Sequence, residues 1–320
     1  MKPKEIIIFG STGQIGTNLV RRLTRNNYKV TAVTRNIHTK GYNLKKSGNA
    51  GWIDVIELKK FDYEKLKTLF KNKHICINLI GILTEKNKSS FHNIHCLLPK
   101  KLAELSKENN LEKFIHFSAL GIENSPESKY ASSKLNGEKE VKNIFNDYVI
   151  LKPSIVYSQN DSFSTLLLSL LKYFPVFPLY YNGRTIFYPI HVSDICEIIE
   201  KVVLEDIKGE TIECVGPEKI TFKQIIKKLT KSIDTKRLLL PIPLPIAKLL
   251  ALFFETVMKN PLLTLDQLIL LSKENAPTGK YKTNIDFKFN SNLKYFDKEI
   301  IKYSYMWKDG GEFTKVKKID

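Results

Sequence analysis

The stretch that decides the fold lies near the start of the chain, where residues 6–16 read Ile-Ile-Ile-Phe-Gly-Ser-Thr-Gly-Gln-Ile-Gly. An apolar strand runs directly into three glycines, Gly10, Gly13 and Gly16, and a helical pattern follows over 14–24. Because glycine has no Cβ, the N–H groups of such a turn and the start of the helix can approach a pyrophosphate closely. The stretch therefore predicts a dinucleotide-binding turn, although glycines also occur in tight turns that bind nothing.

Strand and helix patterns alternate after this turn. Apolar strand patterns cover residues 29–34, 52–58, 75–80, 113–117 and 148–152. Helical patterns lie between them and include those over 97–109 and 129–145. Such alternation is typical of the α/β class and predicts a Rossmann-type doubly wound parallel sheet with helices on both faces.

The rhythm changes beyond Pro153, where an apolar helix pattern and an aromatic, proline-rich stretch interrupt the alternation. The patterns that follow are a strand over 185–190, a helix over 192–204 and a strand over 211–215. From Thr221 onward the chain is mainly helical with proline breaks.

We therefore predict two domains. Residues 1–155 together with about 185–216 form the Rossmann domain, and about 156–184 together with 217–320 form a smaller, mainly helical C-terminal lobe. Because ligands of open α/β sheets bind outside the carboxyl ends of the strands, we expect this lobe to form one wall of the site.

The chain has four cysteines, which lie far apart without a CxxC pair: Cys76, Cys96, Cys196 and Cys214. This usage predicts reduced, mostly buried thiols in a cytosolic setting. A cluster of His92, His95 and Cys96 has helical spacing, but no fourth ligand is near it in the sequence, so we expect no metal site.

Only Met1 to Lys4 precede the first strand, which leaves no room for a signal peptide or an organelle presequence. This start favours a bacterial, cytoplasmic protein. No run approaches the ~18 uninterrupted apolar residues of a membrane span, and the longest candidate, 238–257, is broken by prolines and by Lys248.

A formal net charge of +18 attracts acidic partners in general, among them nucleic acids and anionic membranes. Of the 51 basic residues, however, only six are arginine, and the lysines are spread along the chain without a recognisable DNA-binding or RNA-binding module. We therefore expect no nucleic-acid partner. A basic face that docks on an acidic partner, such as an anionic membrane, stays an open alternative.

The residue at the end of the second strand indicates the type of cofactor. An NAD-selective protein usually has a carboxylate there for the adenosine ribose, whereas this chain has Arg35, 19 residues after Gly16. A guanidinium can bind a ribose 2′-phosphate through charge-assisted hydrogen bonds of about 1.5–3 kcal/mol, and a carboxylate would repel it. We therefore predict NADP(H) and regard NAD(H) as the less favoured cofactor; the alternative is a solvated surface arginine.

Three further residues suit proton transfer. Ser118 closes the fifth strand, and Tyr130 and Lys134 follow in a Tyr-Ala-Ser-Ser-Lys segment. The i, i+4 spacing places both side chains on one helical face, where an ammonium can lower the pKa of the phenol from about 10. We predict Tyr130 as the catalytic acid or base, Lys134 as its partner and Ser118 as the group that orients a carbonyl or the tyrosine. In a lysine-rich chain, the same spacing also arises by chance as a surface pair.

Together these motifs resemble the short-chain dehydrogenase/reductase superfamily, in its extended or atypical branch of the NAD-dependent epimerase/dehydratase type. A finer pattern is similar to the family named for alpha subcomplex subunit nine of respiratory complex I. It consists of Asn78-Leu-Ile-Gly-Ile-Leu83, His116-Phe-Ser-Ala-Leu-Gly121, Leu151-Lys-Pro-Ser-Ile-Val-Tyr157, Asn182-Gly-Arg-Thr-Ile-Phe-Tyr-Pro-Ile-His-Val-Ser-Asp194 and Leu240-Pro-Ile-Pro-Leu-Pro245. The resemblance covers roughly residues 5–275.

The resemblance implies a Rossmann protein that holds NADPH and is associated with NADH:ubiquinone oxidoreductase, with a nucleotide that serves structure or assembly more than turnover. It implies a pyrophosphate loop of Gly10, Ser11, Thr12, Gly13, Gln14, Ile15 and Gly16. It also implies that Arg35 takes the 2′-phosphate and that Ile80 and Gly81 line the ribose side. The residues implied around the nicotinamide are Ser118, Tyr130, Lys134, Pro153 and Val156.

The chain departs from the family pattern at two places. Lysines follow the third strand over 58–61, where many relatives have an acidic residue near the adenine. His95 takes the place of an asparagine that supports a proton relay in many members of the superfamily, which weakens the catalytic interpretation.

Several functions stay open at this point. The first is an NADP(H)-binding accessory or assembly protein of complex I, cytoplasmic or peripheral at the cytoplasmic face of the inner membrane. The second is an active NADP-dependent reductase, epimerase or dehydratase that uses Tyr130, and the third is a redox-sensing regulator. The apolar stretch 238–271 also has two interpretations, namely a patch that contacts a membrane or partner, and packing within the C-terminal lobe.

Overall fold

The computed structural model of the protein describes residues 3–49, 51–85 and 90–311. Contacts divide the chain into two compact units. The first unit comprises Met1–Pro153, Val192–Cys214 and Pro277–Ser291, as far as the described residues extend. The second comprises Ser154–His191, Val215–Ala276 and Asn292–Asp320, within the same limits.

The described residues form strands and helices, which alternate most regularly in the first part of the chain. The strands are β1 (Glu5–Phe9), β2 (Lys29–Thr34), β3 (Ile53–Glu57), β4 (Ile75–Asn78), β5 (Lys113–Phe117), β6 (Tyr148–Pro153), β7 (Val156–Tyr157), β8 (Val176–Leu179), β9 (Ile186–Phe187), β10 (Ile190–His191), β11 (Glu210–Cys214), β12 (Ile220–Thr221), β13 (Leu238–Pro241) and β14 (Lys282–Thr283). The α-helices are α1 (Gln14–Arg25), α2 (Tyr42–Lys45), α3 (Tyr63–Phe70), α4 (Leu98–Glu108), α5 (Lys129–Ile144), α6 (Ser164–Tyr173), α7 (Val192–Leu204), α8 (Phe222–Ser232), α9 (Leu244–Val257), α10 (Leu265–Leu271) and α11 (Phe296–Ser304). Two π-helical segments, Ile37–Gly41 and His92–Leu97, precede α2 and α4.

The first unit is built on a sheet with the strand order β14-β11-β6-β5-β4-β1-β2-β3. Its neighbouring strands are parallel throughout. The order reverses at β1, which pairs with β2 on one side and with β4 on the other. Ligands of such open sheets bind outside the carboxyl ends of the strands at this switch point. The predicted α/β class with a doubly wound parallel sheet and a smaller second lobe is confirmed.

The apolar strands explain why the sheet is covered on both faces. All four residues over 6–9 in β1 are fully buried. Ile7 and Phe9 belong to a core cluster with Phe70 of α3 and with buried residues of α4 and α5. Because side chains alternate along a strand, Ile6 and Ile8 point to the opposite face. Helices α1 and α7 pack on each other outside that cluster.

The second unit has a core of its own. Its buried members include Tyr157 and aromatic residues of β8, α8 and α11, namely Phe177, Phe222 and Phe296. A smaller cluster forms beside it, where Ala247 and Ala251 of α9 contact residues of α10. These two alanines place one side of α9 against the unit.

Several elements have the bounds that the sequence predicts, among them β2 and α7. The predicted strand over 185–190 is instead two short strands, β9 and β10, which pair with β12 and β7 respectively. Pro189 lies between them and has no N–H group for a ladder. All four cysteines are buried and free of disulfides, in agreement with the prediction. Among the residues described, no helix combines the length and the apolar character that a membrane span requires.

Candidate functional site

The turn after β1 has a geometry that only glycine allows at two positions. Gly10 has a φ of +82°, and a Cβ on it would lie 3.0 Å from the carbonyl carbon of Leu79. A Cβ on Gly16 would overlap the carbonyl oxygen of Gly10 and lie 2.6 Å from the Cα of Ser11. The Gly13 N–H donates to the carbonyl of Gly10 at 3.0 Å. The turn is therefore compact, because a Cβ at Gly10 or Gly16 would meet the chain itself, and Gly13 between them is exposed.

The first turn of α1 suits an anion. Gly13 occupies the N-cap position and offers no side-chain oxygen to the first N–H groups, and the first turn contains no acidic residue. The positive end of the helix dipole therefore faces this position without a compensating carboxylate. The buried Ser11 hydroxyl donates to the carbonyl of Val33 at 2.8 Å and fastens the turn to β2. Thr12, Gln14 and Ile15 are half-buried around it.

Arg35 follows the last residue of β2 and is exposed. No described carboxylate forms an ion pair with its guanidinium. Glu57, which lies opposite Thr34 in the sheet register, accepts a hydrogen bond from the N–H of Ile37 at 3.2 Å. This hydrogen bond, together with Lys59, lowers the pKa of Glu57. The acidic residue Glu57 thus ends β3, two and three positions before Lys59 and Lys60.

The loop after β4 carries Ile80 and Gly81. The Ile80 N–H donates to the side-chain oxygen of the buried Asn78 at 3.2 Å. Gly81 is exposed, and a Cβ on it would lie 3.4 Å from the Nζ of Lys134. The structure therefore brings the predicted ribose-side loop next to the predicted lysine.

Tyr130 and Lys134 lie on one face of α5, as their spacing predicts, and Glu138 continues the same face one turn later. Lys134 is buried and donates to the carbonyl of Phe117 at 2.9 Å. Burial lowers the pKa of Lys134 to about 8, against the opposing effect of Glu138. The half-buried Tyr130 ring packs edge-on against His95, with 5.3 Å between the ring centroids.

Ser118 is buried at the end of β5, and its hydroxyl donates to the carboxylate of Glu138. The same carboxylate accepts a hydrogen bond from Lys152 of β6 at 2.9 Å, and Lys152 also pairs with Glu123. Burial works against the charge of Lys152, but the two carboxylates outweigh it and raise the pKa of this lysine. Ser118 is thus part of an ionic network inside the first unit.

The predicted residues of the first unit share one location. The carboxyl ends of β1, β2, β4 and β5 are followed by Gly10 to Gly16, Arg35, Ile80 with Gly81, and Ser118, in that order, and β6 ends at Pro153. Pro153 ends β6, and its carbonyl accepts a hydrogen bond from the N–H of Leu120 at 3.0 Å. Val156 lies in β7 of the second unit, and its role stays a prediction.

Sequence reasoning missed the residues that surround this set, chiefly Glu138, Lys152 and Glu123. One signal was present, because Glu138 continues the four-residue step from Tyr130 through Lys134. Lys152 gave no signal beyond its place in an apolar strand. Across the part of the chain that the structure describes, no group of three or more His, Cys, Asp or Glu residues could hold a metal ion.

Comparisons with known proteins agree with this geometry. The model of the NAD dependent epimerase/dehydratase family matches residues 6–214. NADH dehydrogenase [ubiquinone] 1 alpha subcomplex subunit 9, mitochondrial, of Mus musculus is 29% identical over 241 residues, which cover 75% of this chain and 63% of that protein. The protein of the same name from Dictyostelium discoideum is 25% identical over 97% of this chain and 86% of its own length. The chain thus spans less than two thirds of the mouse relative.

Solved structures show the same fold. UDP-glucuronic acid 4-epimerase from Bacillus cereus, in complex with UDP-glucuronic acid and NAD, has a TM-score of 0.71 and is 19% identical. The match covers 94% of this chain and 98% of that chain.

Proposed function

Because the chain belongs to the NAD dependent epimerase/dehydratase family, we propose that it binds NADP(H) and serves as an accessory or assembly protein of respiratory complex I. The observation that carries the nucleotide proposal is the turn of Gly10 to Gly16 in front of α1. The turn is compact with Gly13 exposed, and Gly13 at the N-cap supplies no side chain to the first helical N–H groups, which suits an anion. When bound, NADP(H) would supply a group that can donate or accept a hydride.

The residues of the first unit divide this task among them. The turn from Gly10 to Gly16, which contains Ser11, Thr12, Gln14 and Ile15, would hold the pyrophosphate through backbone N–H groups. Arg35 would bind the 2′-phosphate, and its exposed guanidinium has no described ion pair to give up. Ile80 and Gly81 would line the ribose, and Lys134 lies beside Gly81 with its ammonium anchored on Phe117.

Association with complex I is supported by the names of the relatives. The mouse and Dictyostelium proteins are both named as a subunit of NADH dehydrogenase [ubiquinone]. The Dictyostelium match extends over nearly the whole chain, so both units are represented in a protein of that name.

Two measurements test these proposals. The purified protein should bind NADPH with a fluorescence change and a higher melting temperature, because a ligand of the folded state stabilises it by mass action. Affinity-tagged protein should enrich complex I subunits from solubilised membranes. Absence of any dinucleotide binding would contradict the first proposal, and absence of complex I subunits from the enriched fraction would contradict the second.

A peripheral membrane contact is the further part of this proposal, and it rests on helix α9. Ile246, Leu249, Phe253 and Val257 are 50%, 67%, 57% and 65% exposed. Their spacing of three and four residues places them on one stripe of the helix, opposite the buried Ala251. The packing interpretation of the stretch 238–271 thus applies to one side of α9 only.

The chemistry around this stripe favours an anionic bilayer. Three exposed lysines accompany α9: Lys236 and Lys259 lie before and after it in the sequence, and Lys248 lies on it, whereas Glu255 is the one acidic residue of the helix. Apolar side chains with basic neighbours are typical of helices that lie in the plane of a lipid surface. We therefore propose that α9 docks on a membrane with anionic lipid headgroups.

Vesicle sedimentation tests this contact. The protein should sediment with vesicles that contain phosphatidylglycerol, less so in high salt, and Leu249→Glu with Phe253→Glu should abolish sedimentation. Leu204→Glu is the matched control, because Leu204 is 62% exposed at the end of α7, in the first unit. Equal sedimentation of the α9 variant and the Leu204→Glu variant would contradict the proposal. Self-association of the protein through the stripe of α9 in the absence of vesicles would also contradict it.

A second candidate function is an active NADP-dependent reductase, epimerase or dehydratase. The shared face of Tyr130 and Lys134, together with the lowered pKa of Lys134, favours it. The test is oxidation of NADPH in the presence of carbonyl substrates. A rate that Tyr130→Phe abolishes would support this candidate, and the lack of any rate would contradict it in favour of the accessory function.

A further inference from the structure

His95 connects two segments of the first unit through both nitrogens of its ring. Nε2 accepts a hydrogen bond from the N–H of Ile82 at 3.1 Å. Nδ1 lies 2.9 Å from the hydroxyl of Ser133, which itself donates to the carbonyl of Tyr130 at 2.7 Å. Because Ile82 can only donate and the Ser133 hydrogen is already used, Nδ1 carries the proton and donates to Ser133.

The surroundings keep this ring neutral. His95 is 1% exposed, and burial together with the ammonium of Lys134 lowers its pKa to about 3. The ring stacks on Phe91 at a centroid distance of 5.4 Å and receives the edge of Tyr130. A protonated ring would lose its acceptor for Ile82, so the neutral form is the one that fits this pair of hydrogen bonds.

The backbone of His95 is fixed as well. A Cβ on Gly137 of α5 would overlap the carbonyl oxygen of His95 and lie 3.0 Å from its carbonyl carbon. The π-helical segment His92–Leu97 therefore meets α5 backbone to backbone. Ring and main chain thus hold His95 against the same helix that carries Tyr130 and Lys134.

We propose that His95 is a positioning residue that fastens the loop of Ile80 to Ile82 onto α5. Through these contacts of His95, Gly81 keeps its distance from Lys134, and the segments that would contact the ribose and the nicotinamide of the nucleotide form one rigid wall. The inference rests on the proposed nucleotide site. It also gives the histidine a role different from a proton relay, since both ring nitrogens are engaged by the protein.

Two amide variants distinguish the hydrogen bond of His95 with Ile82 from its hydrogen bond with Ser133. The side-chain oxygen of glutamine reaches the position of Nε2 and can accept from Ile82, whereas the shorter asparagine reaches only the position of Nδ1, near Ser133. We expect His95→Asn to weaken NADPH binding about tenfold and His95→Gln to stay within about twofold of the unaltered protein.

Amide hydrogen exchange supplies the structural readout. The Ile82 N–H should exchange faster in His95→Asn than in His95→Gln, while the Ile80 N–H, which donates to Asn78, should be protected equally in both. Equal NADPH affinity of the two variants, or equal Ile82 exchange, would overturn the proposal that His95 fastens this loop onto α5. Failure of the unaltered protein to bind any dinucleotide would instead overturn the proposed function, whatever the exchange at Ile82.

Discussion

The hydroxyl of Ser118 donates its hydrogen bond to the carboxylate of Glu138, two turns of α5 beyond Tyr130. The serine that the sequence marks as catalytic is therefore engaged in the interior of the first unit. Its partner also carries the charge interaction with Lys152, whose side chain is fully buried. Any substrate that approached Ser118 would compete with this hydrogen bond.

We expect Lys152→Met to destabilise the protein by about 3–5 kcal/mol, because it leaves the carboxylates of Glu138 and Glu123 without their buried cation. Urea unfolding at pH 7 measures the loss. Lys308→Met is the control, since the Lys308 pair with Asp234 lies at the surface and contributes less than about 1 kcal/mol. A loss of similar size in both variants would contradict the role of the network.

Gly16→Ala should abolish nucleotide binding and lower stability by about 1–3 kcal/mol, since its Cβ would overlap the carbonyl oxygen of Gly10. Gly13→Ala is the milder control, because its Cβ would lie 3.3 Å from the same oxygen and its φ is −77°. Thermal melts with and without NADPH distinguish the two. If both variants bound NADPH equally well, the close approach in this turn would not matter for binding.

Arg35→Glu should weaken NADPH binding by about tenfold to a hundredfold, as expected for the loss of charge-assisted hydrogen bonds to a phosphate. NADH binding should change by less than about threefold, since NADH has no 2′-phosphate. Arg21→Glu, an equal charge change at an exposed position of α1, is the control for general electrostatics. Equal affinity of the unaltered protein for NADPH and NADH would refute the assignment of Arg35.

Stability should fall when the pH decreases from about 6.5 to 4. Burial lowers the pKa of His95 to about 3, that of His191 to about 4, and that of His116 well below its usual value. The unfolded chain binds protons at these rings near pH 6.5, whereas the folded protein does not, so stability is present above that pH and decreases below it. Each ring contributes a slope of about 1.4 kcal/mol per pH unit.

Denaturant unfolding at pH 7.5 and pH 5 measures this dependence. His95→Gln should reduce the difference between the two conditions by the share of one ring. His92→Gln is the control for the substitution itself, because the His92 side chain is exposed in the folded protein. A stability that is equal at both pH values would contradict the burial of neutral histidines.

The sequence predicts the sheet well because its signals are local. The bounds of β2 and α7 follow from strong periodicity, and the glycine turn follows from residue types alone. The π-helical start of the helix after β4 was not predictable, because its geometry depends on contact with α5. Gly137 shows the cause: its lack of a side chain matters only where the backbone of His95 comes close in the fold.

The residues at the strand ends of the site were predictable from the sequence, whereas the buried residues that contact them were not. Arg35 and Gly81 follow strands whose order the sequence indicates, and Lys134 lies in the helix that comes after β5, so their common location at one edge of the sheet was expected. The hydrogen bond of Ser118 to Glu138 was not expected, because it forms only through packing of α5, and Lys152 joins the same carboxylate only through pairing of β5 with β6. Strand β13 was missed because prolines follow Leu240 in the sequence.

Strand β14 determines when the first unit can be completed during synthesis. It pairs with β11 at the edge of the main sheet, and Thr278, just before it, donates to the buried carboxylate of Glu213 through its N–H at 3.0 Å. A ribosome must therefore deliver the chain to Thr283 before the sheet that started at Glu5 has its last strand. A nascent chain that stops short of Pro277 would leave β11 without its partner β14 and the buried acid without its donor, and would thus be a natural target for chaperones and proteases.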